Sequence, residues 1–72
     1  MTALDYMIDA VAADLIVLLM ERRDVDFTTA TDMLYSSVTF EKLTNPATGL
    51  YFQSPLYVYS YLENEIVNGV IS

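Results

Sequence analysis

Asp24-Val25-Asp26-Phe27-Thr28 is the stretch of this sequence whose residue types and spacing could do chemistry. D-x-D-x-T resembles a known phosphotransfer loop, and that resemblance would make the first carboxylate the nucleophile at phosphorus and the second the proton carrier. The same residues begin like a calcium loop, D-x-D-x-[DN]-G-x5-E, where alternate side chains converge on one cation. With Asp32 close by, a small Ca2+ or Mg2+ protein, or an enzyme built on Asp24, Asp26 and Asp32, is therefore one reading of the sequence. Both patterns break where they are least forgiving. Thr29 stands at the calcium loop's Gly position and Tyr35 at its bidentate Glu position. The phosphotransfer loop needs a parallel sheet, a Lys and further Mg2+ carboxylates, which 72 residues cannot house. The chain has no His and no Cys, which leaves carboxylates as its only strong metal ligands. Asp5 with Asp9, and Glu63 with Glu65, are carboxylate pairs without a nucleophile beside them, and read as solvated helix edges. The expectation is a non-enzymatic chain with no catalytic residue, no cofactor and no metal.

The elements that would carry these residues are organised around Leu4–Met20. Leu4, Ile8, Val11, Leu15 and Leu18 follow the 4-3-4-3 spacing of a helix face, with Met7 and Leu19 beside them. Tyr6, Ala10, Ala13, Val17 and Met20 repeat that spacing on a different face. Asp14 and Glu21 separate the stripes on one side, Asp5 and Asp9 on the other. A helix with two apolar stripes has to be covered twice. The spacing therefore predicts that the first stripe faces the chain's own core and the second packs on its own copy in a homodimer, the small Ala10 and Ala13 allowing close approach. The rival is cover in cis by the C-terminal helix and Leu50–Gln53.

Thr2 and Asp5 form a cap-like pair before this helix, and Arg22 and Arg23 complement its C-terminal dipole. A connection follows at Asp24–Phe27. Thr28 and Thr29 are cap-type residues for a short helix whose inner face is Ala30, Met33, Leu34 and Ser37. Ser37 caps a further turn or two over Val38–Leu43, anchored by Phe40 and Leu43. Asn45-Pro46-Ala47-Thr48-Gly49 stops it, and Leu50–Gln53 reads as extended. Ser54-Pro55 starts a last helix that ends at Asn68-Gly69. Leu56–Leu62 also alternates with period two, the pattern of a strand; the Ser-Pro start and the continued spacing through Ile66 favour a helix. The expected fold is all-α, a single domain over residues 1–72: a small bundle of three or four helices, with a long central N-terminal helix and a Tyr-rich C-terminal one.

Ten Asp and Glu against three Lys and Arg give a formal charge of −7. Such a chain cannot neutralise a row of phosphates, which excludes direct nucleic-acid binding, and it is repelled by an anionic membrane. The carboxylates interrupt every apolar run, so no membrane span is expected, and no basic residues precede the first run as in a secretory leader. Absence of Cys fits a reducing, cytoplasmic setting. The acidity suits a basic protein partner, or an acidic mimic of nucleic acid. At 54% hydrophobic, the chain carries more apolar surface than a domain this small hides alone. Tyr51, Tyr57, Tyr59 and Tyr61 crowd one segment, and Tyr serves interfaces because it buries area while keeping a polar tip. On a helix, Tyr57, Tyr61 and Asn64 share a side away from Val58, Leu62 and Ile66, and are the candidate partner surface.

Thr48-Gly49-Leu50-Tyr51-Phe52-Gln53-Ser54-Pro55 and the following Tyr57-Val58-Tyr59-Ser60-Tyr61-Leu62 resemble a group of small uncharacterised bacterial proteins with T-G-L-Y-[YF]-Q-S followed by Y-V-Y-x-[YF]-L. Ala30–Tyr35 and Phe40–Leu43 are similar too, so the resemblance spans about residues 28–65. It carries no activity. It implies an accessory role, antitoxin-like or regulatory, beside other small proteins, some of them toxin-like.

Overall fold

The computed structural model describes residues 3–69. Helix α1 spans Ala3–Arg22, α2 Phe27–Tyr35, α3 Val38–Thr44 and α4 Pro55–Asn68; single 3-10 turns at Pro46–Thr48 and Leu50–Phe52 join α3 to α4. No strand occurs among the described residues. The all-α bundle with α1 at its centre is therefore the fold: α1 touches α2, α3, α4 and the second 3-10 turn. Thr2, and the capping pair it would form with Asp5, lies outside the described residues.

The local chemistry explains where each helix starts. Asp24 adopts a left-handed backbone, φ 55°, a conformation Asp tolerates better than most residues. It turns the chain so that Asp26, not Thr28 or Thr29, becomes the cap of α2: its Oδ1 accepts from the Thr29 amide at 2.8 Å. The threonine-cap expectation is thus corrected by a carboxylate, which caps as well as a hydroxyl and adds favourable charge at the helix start. Ser37 caps α3 as expected, accepting from the Phe40 amide at 3.0 Å. The inward anchors of α3 are Leu43 and Thr39, both buried, while Phe40 is only half-buried. Ser54 accepts from the Tyr57 amide with Pro55 at the first helical position, so residues 56–62 are helical despite their period-two alternation.

Leu50–Gln53 is not extended. Gly49 at φ 70° reverses the chain, and the Phe52 and Gln53 amides donate to the carbonyls of Gly49 and Leu50 at 3.1 and 3.0 Å. The turn drops Leu50 into the core and leaves Phe52 outside, stacked on Tyr51 with ring centroids 4.2 Å apart. A residue free to take positive φ decides this, where aromatic content alone suggested a strand.

The core joins Val11, Ala12, Leu15, Ile16 and Leu19 of α1 to Ala30 and Leu34 of α2, Leu43 of α3, Leu50, and Val58, Tyr59 and Leu62 of α4. Each fully buried aliphatic side chain contributes about 1.5–3 kcal/mol. The buried face of α1 is rotated from the expected stripe. Leu15 and Val11 hold, but Ala12, Ile16 and Leu19 complete the face, while Leu4, Ile8 and Leu18 are half-buried at its margin. The reason is the placement of α2, which packs over the Ala12–Ile16 side; spacing along one helix cannot locate its neighbours.

Candidate functional site

The second stripe of α1 is left largely uncovered. Tyr6, Ala10, Ala13 and Val17 are exposed, Tyr6 at 68% and Val17 at 51%, and Met20 is half-buried. α4 and the Leu50–Phe52 turn both touch α1, yet they leave Tyr6, Ala10, Ala13 and Val17 uncovered, and only Met20 packs against the core. The C-terminal part of the stripe, Ala13, Val17 and Met20, lines an open groove of about 510 Å3 between α1 and α2. Ala12 and Ile16 are its buried floor, and Asp9, Ala13, Val17 and Met20 its α1 side. Phe27 and Tyr35, at the two ends of α2, form the facing wall.

Those two rings are held by local structure. The Asp26 cap fixes the first turn of α2, and with it Phe27, while the Tyr35 ring rests on Phe40 at 4.7 Å between centroids. Both remain largely exposed, Phe27 at 61% and Tyr35 at 57%. The hydrogen bond from the Thr29 side chain, joined by that from its amide, holds the Asp26 carboxyl below its ordinary pKa, so the capping group is anionic at neutral pH. A concave apolar surface with an aromatic wall, small residues along it and a carboxylate at one end can bind apolar side chains in a row.

Tyr57, Tyr61 and Asn64 lie together on the outer face of α4, as their spacing requires. Tyr57 and Tyr61 are edge-to-face, 5.4 Å between centroids, with their hydroxyls 3.0 Å apart. That hydrogen bond, with the neighbouring phenol's charge and slight desolvation, raises the Tyr57 pKa. Asn64 accepts from the Asn68 side chain at 3.2 Å. This face is a flat ridge, partly satisfied within itself, in contrast to the α1–α2 groove.

The carboxylates take separate roles. Asp26 caps α2, and among the described residues no three His, Cys, Asp or Glu side chains assemble as a metal-binding group, so Asp24, Asp26 and Asp32 do not converge. Glu65 is no solvated edge residue. Its Oε2 accepts from the Val38 amide at 2.8 Å, and its Oε1 from the Thr39 amide and hydroxyl at 2.9 Å each. With Ser37, it satisfies the first amides of α3 from a different helix. Burial pushes the Glu65 carboxyl up, but the Val38 and Thr39 donors and the nearby Lys42 charge outweigh it, and the pKa falls below the usual value. Tyr59, 2% exposed, has the Arg22 guanidinium 5.5 Å from its ring centroid, and its buried hydroxyl has no hydrogen-bond partner. Burial first, and Glu63 second, raise its pKa against the pull of Arg23 and Arg22.

Phe27 and Tyr35 escape a reading of the sequence as site residues. Their signal is an i, i+8 spacing through Thr31, which becomes one helix face only once α2 is known to start at Phe27. Among the described residues, no helix is long and apolar enough to cross a membrane. No family model, curated protein or solved structure matches the chain.

Proposed function

We propose that this protein is a non-enzymatic interaction module whose docking face is the α1–α2 groove. One observation carries the reading: an 8.1 kDa chain leaves Val17, Phe27 and Tyr35 exposed along an open apolar groove, with Tyr6 exposed on the same helix as Val17. Large exposed apolar patches mark interaction surfaces, because water contact with them is relieved only by association. Self-association as a homodimer and docking of a different, basic protein are the two forms this takes. The resemblance to a group of small uncharacterised bacterial proteins fits an antitoxin-like or regulatory setting, in the cytoplasm.

Paired co-purification at native expression level tests it. The unmodified protein and Val17→Asp are recovered side by side, with far-UV circular dichroism verifying that both are helical. A partner, or a second copy, held by the first and lost by the second is the expected result. Identical recoveries from the two folded proteins reject the groove as the docking face.

A further inference from the structure

Resting on that docking reading, we infer that the occupant of the α1–α2 groove is a basic amphipathic helix of a partner protein, seated by an apolar row and flanked by Lys or Arg. The groove is shaped for a helix. Its α1 wall runs from Asp9 to Met20, about 16 Å or three helical turns. Ala12 in its floor and Ala13 in its α1 wall are small side chains that admit close approach, and Phe27 and Tyr35 stand one helix length apart to bracket apolar residues at i, i+3 or i+4, and i+7.

Charge selects the sign of the partner. Asp9 lines the groove, and Asp14 and Glu21 flank the far edge of the exposed α1 stripe. Asp32, exposed, lies beyond Thr31 on the outer side of α2. Of the chain's three cations, Arg22 lies over the Tyr59 ring, 5.5 Å from its centroid. None lines the groove. An apolar trough edged by carboxylates attracts a helix whose apolar row is flanked by cations, and the net charge of −7 steers it there. A second copy fits less well. Two-fold symmetry lays each patch on itself, so Asp9 meets the acidic seam of its mate, as do Asp14 and Glu21.

The probe is a synthetic helical peptide of about 14 residues with Leu along one face and Lys on both flanks, long enough for the groove; its control carries Glu in place of Lys. Fluorescence anisotropy gives affinity, and amide NMR shifts give location. The Lys peptide is expected to bind at least tenfold more tightly than the Glu peptide. Its shifts should fall at Ala13, Val17, Met20, Phe27 and Tyr35, and its affinity should drop several-fold when ionic strength rises from about 0.05 M to about 0.3 M. Ala13→Leu, which adds bulk to the α1 wall of the groove at an exposed helical site without changing charge, should weaken it at least tenfold while circular dichroism stays unchanged. Equal binding of the two peptides overturns the basic partner and leaves groove docking standing. Shifts confined to α4, or a folded Ala13→Leu that binds normally, overturn the groove as the seat. A protein that sediments as a dimer at micromolar concentration, and whose Ala13→Leu form is monomeric, assigns the groove to a second copy and overturns the inference, but not the interaction module.

Discussion

At the scale of single residues, Glu65 is the side chain whose loss should be felt most relative to its exposure. It sits on α4 and caps α3 through three hydrogen bonds to one carboxylate. Charge-assisted bonds of this kind contribute about 1.5–3 kcal/mol, and Glu65→Ala is expected to cost that much in urea unfolding at pH 7. The pH dependence follows from the depressed pKa. An unfolded Glu titrates near about 4.3. Above that value the capping contribution is fully present, and it is lost as pH falls through the lower folded value. Glu65→Gln should therefore be less stable than the parent at pH 6, with the difference shrinking on acidification below about pH 4. A difference that stays constant down to about pH 2.5 contradicts the ionic cap. Tyr59 presents the opposite case, a buried hydroxyl with no partner. Removing it leaves the ring's packing and its Arg22 contact in place. Tyr59→Phe is expected to be neutral or stabilising by about 1 kcal/mol, read as a higher denaturation midpoint with an unchanged slope.

At the scale of elements, α4 shows how one helix divides stability from surface. Val58, Tyr59 and Leu62 are in the core, while Tyr57, Tyr61 and Asn64 are outside. Leu62→Ala is expected to cost about 2–5 kcal/mol as a truncation at a fully buried site. Tyr61→Ala should cost less, because an exposed edge-to-face pair contributes about 0.5–1.5 kcal/mol. Chemical denaturation of the two variants orders them directly, and the reverse order would falsify this assignment of faces. The helix starts were mostly legible in the sequence, since Ser37 and Ser54 cap the helices that follow them. The start of α2 was misplaced because Asp26 acts as cap only once Asp24 takes a left-handed backbone. The turn at Leu50–Phe52 was missed because Gly49, not the aromatic run, sets the chain direction there.

At the scale of the whole molecule, a Cα radius of gyration of 11.4 Å matches about 11 Å for a packed chain of this length. Within it, α1 is closed over on the side of Leu15, fully buried, and open on the side of Val17, exposed. Two substitutions on one helix separate these sides. Leu15→Asp places an unpartnered charge at a fully buried site and is expected to abolish folding. Val17→Asp adds a carboxylate to an exposed face and should leave the helical circular dichroism and cooperative unfolding in place. If Val17→Asp unfolds the isolated monomer, the uncovered face is needed by the chain's own fold. Sedimentation of the parent protein complements this. An 8.1 kDa species places the stripe in solvent until a partner arrives, while a dimer gives it to a second copy.

Local chemistry and periodicity were enough to read the helical class, the central role of Leu4–Met20, the helical state of residues 56–62 and the outward side of Tyr57, Tyr61 and Asn64. These properties depend on caps, proline, glycine and spacing, all of which lie within a few residues of one another. That α1 carries a second apolar stripe was legible for the same reason. Only the tertiary structure decided that α2 leans over Ala12 and Ile16, that the C-terminal part of the stripe becomes one wall of a groove, and that Phe27 and Tyr35 supply the other. It also decided that Glu65 reaches Val38 and Thr39 across 27 and 26 positions of chain. Such pairings depend on where whole helices come to rest, and periodicity along one helix says which face is apolar, never which neighbour covers it.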